Sequence, residues 1–147
     1  MAEYNTGFCP ADLATLHFSL KTHQGFTLTK SILPSTGSIV DEKKYAGSYA
    51  IRLVGTAVWT VMLNLNSAKD ITVQAKVFLK GVHNPTLMML LYDSNGNVLE
   101  SATPLTTTGS WQDIQLVKTG LQPGVYYIHF YTKGLGTLCY IDNIEVL

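Results

Sequence analysis

Ile71-Thr72-Val73-Gln74-Ala75-Lys76-Val77-Phe78-Leu79-Lys80 is the stretch on which the fold turns. Successive side chains of an extended strand point to opposite faces, so Ile71, Val73, Ala75, Val77 and Leu79 share one side. Thr72, Gln74, Lys76, Phe78 and Lys80 share the other. The stretch predicts a half-buried strand whose solvent side carries one aromatic ring, Phe78, flanked by lysines.

Working outward, Leu87 to Asp93 and Val98 to Ser101 read as a hairpin joined through Ser94-Asn95-Gly96-Asn97. Asn-Gly supplies the positive φ angles of a tight hairpin, and Asp93 assists through a side-chain-to-backbone hydrogen bond. From 57 to 65, Trp59, Val61, Leu63 and Leu65 alternate with Thr60 and Asn64, which assigns Trp59 to the core. Further strands are expected at about 26 to 32, 38 to 45, 48 to 54, 111 to 117, 125 to 132 and 138 to 146. Trp111, at the start of its strand, is expected to pack at the sandwich edge. Turns fall at Pro34-Ser35-Thr36-Gly37, Gln122-Pro123-Gly124 and Gly134-Leu135-Gly136. Residues 1–25, with Gly7, Pro10 and Gly25, read as an irregular N-terminal arm that covers a sheet edge or reaches a neighbour. Residues 26–147 read as one all-β domain, a two-sheet sandwich or a barrel.

The chain has 147 residues, the size of a single domain with a real core. Its ten basic and ten acidic residues cancel, and the longest basic cluster is Lys43-Lys44, so no footprint for nucleic acid or anionic lipid is present. Only 14% of residues are charged, against about 25% in an average globular protein. A neutral, apolar-rich surface suits sugar or permanent burial against other subunits. No apolar run reaches the roughly 20 residues that span a bilayer, and Met1-Ala2-Glu3-Tyr4-Asn5 lacks the features of an export signal. Cys9 and Cys139 can meet only if the first and last segments pair, two reduced thiols being the ordinary alternative.

Five short segments resemble carbohydrate-binding modules of the jelly-roll, galactose-binding-like type. Ala46-Gly47-Ser48-Tyr49-Ala50-Ile51-Arg52-Leu53 is similar to their "G-S-y-A-l-r-l" strand, Ile71 to Gly81 to "y-t-v-s-a-y-v-K-G", and Leu87 to Leu99 to "l-x-l-y-D-x-x-G". Thr108-Gly109-Ser110-Trp111-Gln112-Asp113 resembles "t-G-s-W-q", and Tyr140-Ile141-Asp142-Asn143-Ile144 resembles the closing "y-I-D-D-v". The likeness keeps its order over about residues 45–147 and implies a two-sheet antiparallel jelly roll that binds glycans. It also implies a structural calcium at Asp142. Asn143 stands where the second Asp would be, and no acidic residue lies between Phe18 and Phe26. One carboxylate does not supply the six to eight oxygens that calcium takes.

With Ile128 and Phe130 inward, Tyr127, His129 and Tyr131 share the outer side; with Leu87, Met89 and Leu91 inward, Met88, Leu90 and Tyr92 do. Phe78, Met88, Tyr92, Tyr127, His129 and Tyr131 are therefore the candidate ligand- or partner-binding residues. Flat rings cover the C–H surface of a pyranose, whereas aliphatic Met88 and Leu90 suit a buried contact under the arm or against another subunit. Catalysis finds no support: the four histidines lack metal-ligand spacing, no Gly-x-Ser-x-Gly elbow occurs, and Asp41-Glu42 point to opposite sides of a strand or sit in a solvated turn. The expectation is a non-catalytic jelly roll that decorates or cements a larger assembly such as a phage particle, as a homo-oligomer, with a trimer first. The alternative is a glycan-binding module of a secreted or cell-surface system. Either places the chain on a virion or extracellular surface, without a signal peptide in this chain.

Overall fold

Residues 69–80 run as one strand, and its inward row of Ile71, Val73, Ala75, Val77 and Leu79 is sealed from solvent. The computed structural model describes residues 20–22, 26–32, 38–40, 42, 43, 45 and 50–146. The strands are β1 (Leu20–Thr22), β2 (Phe26–Ile32), β3 (Ser38–Val40), β4 (Ala50–Val54), β5 (Ala57–Leu65) and β6 (Lys69–Lys80). They continue with β7 (Thr86–Asp93), β8 (Val98–Ser101), β9 (Trp111–Leu121), β10 (Gly124–Lys133) and β11 (Leu138–Val146). One sheet has the order β3-β4-β11-β6-β9 with β1 also on β11; the other has the order β2-β5-β10-β7-β8. The two inner faces close on each other as a β-sandwich, as the alternation predicted.

The core is the sum of the inward rows. Trp59 on β5 and Phe130 on β10 are directly opposed in the ladder, fully buried, and stacked with centroids 5.1 Å apart. Met89 and Leu91 from β7 and Val77, Leu79 and Ile141 from the facing sheet fill the space around them. Thr132 is the polar exception on β10. Its buried hydroxyl donates to the Gly55 carbonyl at 2.8 Å and accepts the Ala57 N–H at 3.2 Å, so its burial leaves no polar group unsatisfied.

Several boundaries differ from the sequence reading. Leu20–Thr22, inside the expected irregular arm, forms a parallel ladder with Ile144–Val146 of β11. β4 pairs with β11 only along Leu138–Ile141, and β1 takes the same strand further on, where the backbone groups need partners. The sandwich is thus antiparallel except at this pair. The strand expected at 38 to 45 ends at Val40, with a bend at Glu42 and Lys43, and β9 runs on to Leu121. Cys139 is a free, fully buried thiol whose pKa burial pushes up; its prospective partner Cys9 lies outside the described residues, as do Asp41 and the turn at 34–37.

The β7–β8 hairpin forms where expected but with a different turn. Only Gly96 has positive φ, at 86°, while Asn95 stays in the ordinary region. The Gly96 N–H donates to the Asp93 carbonyl at 3.1 Å, and one Asp93 carboxylate oxygen accepts the N–H groups of both Asn95 and Asn97 at 2.9 Å. These bonds favour a turn closed by one left-handed glycine over a two-residue Asn-Gly loop.

Candidate functional site

The outer face of the β2-β5-β10-β7-β8 sheet collects five of the six residues singled out from the sequence. β10 is central to the group, and its register fixes each neighbour. Tyr127 lies between Tyr92 on β7 and Met62 on β5, His129 between Leu90 and Thr60, and Tyr131 between Met88 and Val58. All nine side chains are half-buried. Directly opposed side chains across a ladder sit about 5 Å apart, so these rows form one continuous surface.

Tyr92 and His129 contact diagonally, with ring centroids 4.4 Å apart and planes tilted by 40°. Together they form a wall with a depression on either side. The depression toward the hairpin has a volume of about 340 Å³ and is lined by Thr60, Asp93, Ser94 and Tyr127 as well as the wall. The other, about 250 Å³, is lined by Val58, Met88, Leu90 and Tyr131. The first combines flat rings with hydroxyl and carboxylate groups, and the second is aliphatic with a single tyrosine edge. One sheet face therefore carries both chemistries that the sequence left open, side by side.

Burial pulls the His129 pKa below its ordinary value, so at neutral pH the ring is uncharged and offers one donor and one acceptor. Asp93 is held below the usual carboxylate range, first by the Asn97 backbone N–H and then by the Asn97 side-chain amide. That carboxylate is engaged with its own turn, which suits a fixed acceptor and not a proton donor.

Phe78, the sixth candidate, lies on the opposite sheet. Alternation assigns it to an outer face but does not say which layer its strand joins. Its ring packs edge-on against Trp111 at 5.7 Å and Tyr140 at 6.4 Å, and Lys43 Nζ sits 3.9 Å from its centroid. Trp111 is at an edge strand, as expected, with its ring turned onto this outer face beside Tyr45. Glu42 accepts two hydrogen bonds from Arg52 at 2.8 and 2.9 Å and one from the Tyr140 hydroxyl. The Tyr140 bond comes first in holding the Glu42 carboxyl down, followed by Arg52; burial, then Glu42, raises Tyr140 to about 12. Glu42 and Tyr140 were not separable from strand and turn residues by sequence, because their pairing spans 98 positions.

Asp142 is fully buried. Its Oδ2 accepts the Tyr45 N–H at 2.9 Å and its Oδ1 the Asn143 N–H at 2.7 Å. Among the described residues no group of three or more His, Cys, Asp or Glu side chains gathers that could hold a metal ion.

Solved structures share this architecture. A family 61 carbohydrate-binding module in complex with β-1,4-galactotriose superposes with a TM-score of 0.62 at 15% identity, covering 84% of this chain and 88% of that one. A family 35 module in complex with a glucuronic acid containing disaccharide gives 0.58 at 17% identity, over 80% and 91%. The chain has the fold of the β-sandwich carbohydrate-binding modules. The enzymatically active domain of tailspike protein 4 from bacteriophage CBA120 is similar to this chain over part of its length. It matches with a TM-score of 0.50 at 13% identity, over 84% of this chain and 19% of that one. No protein-family model and no curated protein matches the sequence.

His129 gives this face a pH signature. Its folded-state pKa is depressed, so below about 6.5 the unfolded chain binds the proton first and stability falls with pH until the folded-state value is passed. Urea denaturation between pH 7.5 and 5 is expected to show this loss, and His129→Gln to reduce the slope; an unchanged slope in the variant contradicts the burial of a neutral ring.

Proposed function

We propose that this chain is a non-catalytic glycan-binding module whose ligand lies in the depression bounded by Tyr92, Tyr127 and His129. The observation that carries the reading is the wall of Tyr92 and His129 at 4.4 Å beside a hollow of about 340 Å³ edged by Thr60, Asp93 and Ser94. Ring faces cover the C–H surface of a pyranose, and a few placed polar groups fix its hydroxyls. The fold agrees with this, since the neighbours named above were solved with a galactotriose and a glucuronic acid containing disaccharide. Four of its described carboxylates are engaged elsewhere than in acid–base pairs: Asp93 with its turn, Asp142 with backbone amides, Glu42 with Arg52 and Tyr140, Asp113 with Lys76. That supports binding over hydrolysis.

The aliphatic half of the same face supports a second, compatible role. Val58, Met88, Leu90 and Tyr131 form an apolar row with little to offer a sugar hydroxyl, and such a row suits contact with another protein surface. The tailspike comparison, where this fold occupies 19% of a larger phage protein, supports placing the module in an assembly on a virion or extracellular surface. We read it as a homo-oligomer, or a subunit docked on a larger particle, that presents a glycan-binding hollow beside its contact row.

A glycan array followed by calorimetry tests the first role. Removing one aromatic contact is worth about 1.5–3 kcal/mol, so Tyr92→Ala and Tyr127→Ala are each expected to weaken any array hit on the order of 10- to 100-fold. Full affinity in both variants removes the proposed hollow. Light scattering at micromolar concentration tests the second role: a mass above one chain that drops on Leu90→Lys is expected, and a monodisperse monomer contradicts it.

A further inference from the structure

The outer face of the other sheet holds a ladder with its own logic. On edge strand β9, Trp111, Asp113 and Gln115 point outward at alternate positions. Each meets a matched partner on β6: Trp111 is opposite Phe78, Asp113 opposite Lys76, and Gln115 opposite Gln74. The ladder thus passes from an aromatic pair through an ion pair to an amide pair. Lys76 Nζ is 2.5 Å from Asp113 Oδ1, and Gln74 Nε2 donates to Glu145 Oε1 at 2.8 Å.

β11 widens this ladder into a groove. Its register against β6 shifts between Asp142 and Glu145, where Asn143 adopts a left-handed φ of 49°. The resulting hollow has a volume of about 220 Å³ and is lined by Gln74, Lys76, Asp113, Gln115 and Glu145 around the bulge. At its upper end stands an aromatic shelf. Tyr45 is 47% exposed, with its ring 5.6 Å from Trp111 at an angle of 68°. Lys76 joins shelf to groove, its Nζ lying 5.0 Å from the Tyr45 ring centroid. Phe78 lies beneath Lys43 and supports the shelf.

We propose that this shelf and groove are a second saccharide-binding site, independent of the Tyr92–Tyr127 hollow and on the opposite side of the sandwich. Trp111 and Tyr45 meet the C–H face of a pyranose, and the carboxylate and amide groups of Asp113, Gln115 and Gln74 meet its hydroxyls. The two polar pairs already hold their side chains in place, which lowers the ordering cost of binding. Charge selects the sugar class. Lys76 contributes +1 and Asp113 and Glu145 −1 each, so the groove carries 1 − 2 = −1 and favours a neutral sugar over a uronate. Two sites on opposite faces would let the module bridge two separate polysaccharide chains rather than grip one surface twice.

The test follows the indole N–H resonances of the whole chain in ¹⁵N-labelled protein titrated with cellotriose, xylotriose and mannotriose at millimolar concentration, and with trigalacturonate. With at least one neutral trisaccharide, the Trp111 signal is expected to move while that of buried Trp59 stays. Gln115→Ala, a change at an exposed position, is expected to weaken binding at this site roughly fivefold or more by loss of a hydrogen bond. In Tyr127→Ala, which removes the first hollow, the Trp111 response is expected to persist. The site is refuted if none of the neutral trisaccharides moves Trp111, if Gln115→Ala leaves the affinity unchanged, or if the response disappears with Tyr127→Ala. Binding of trigalacturonate as tight as that of the best neutral sugar refutes the charge argument.

Discussion

Strand β10 is held in register on both sides at once, and nearly everything else follows from that constraint. Nine consecutive residues pair with β5 and eight with β7, and the inward row of Tyr126, Ile128, Phe130 and Thr132 is buried. A slip by one residue against either neighbour would bring Tyr127, His129 and Tyr131 into the core and expose the Phe130 ring that stacks on Trp59. Losing a buried Phe or Trp side chain costs about 3–5 kcal/mol, a large part of the net stability of a single domain. The same interaction that seals the interior therefore fixes which rings reach the surface and which neighbour each one meets.

The closing strand plays the corresponding part on the other face. Asp142 is buried, and it anchors the backbone of Tyr45 through an accepted N–H at 2.9 Å. A hydrogen bond contributes about 0.5–1.5 kcal/mol net, which helps to fix where Tyr45 sits. Asn143 then takes the left-handed conformation that asparagine tolerates better than most residues, and the bulge shifts Glu145 into line with Gln74. The Asp142-Asn143 pair thus acts as a staple and a register shift. Both consequences are local, and both set the side chains of the groove beside them.

The fold was legible because period-two burial needs no knowledge of partners. The inward sets of β5, β6, β7 and β10 come directly from alternation, and so do the outward rows Tyr127-His129-Tyr131 and Met88-Leu90-Tyr92. What alternation does not encode is the order of strands. It put Phe78 on a solvent side without saying that β6 and β10 belong to different sheets. It gave no sign of β1 beside β11, because three residues are too few for a period and their parallel pairing is set by backbone groups on a distant strand. The shelf of Tyr45 and Trp111 escaped for a related reason: Tyr45 lies in a bend and reaches Trp111 only through the fold. The turn at Asn95-Gly96 was placed correctly in the chain, but its form was decided by the Asp93 carboxylate.

Met88 and Met89 are adjacent in sequence and assigned to opposite sides of β7, one half-buried in the outer row and the other at 0% exposure in the core. Limited oxidation of the native chain with hydrogen peroxide, read by peptide mass spectrometry, compares them within one strand and under one set of conditions. The account predicts that Met88 becomes the sulfoxide well before Met89, which oxidises only as the domain unfolds. Equal rates, or faster oxidation of Met89, would contradict the register on which both faces are built.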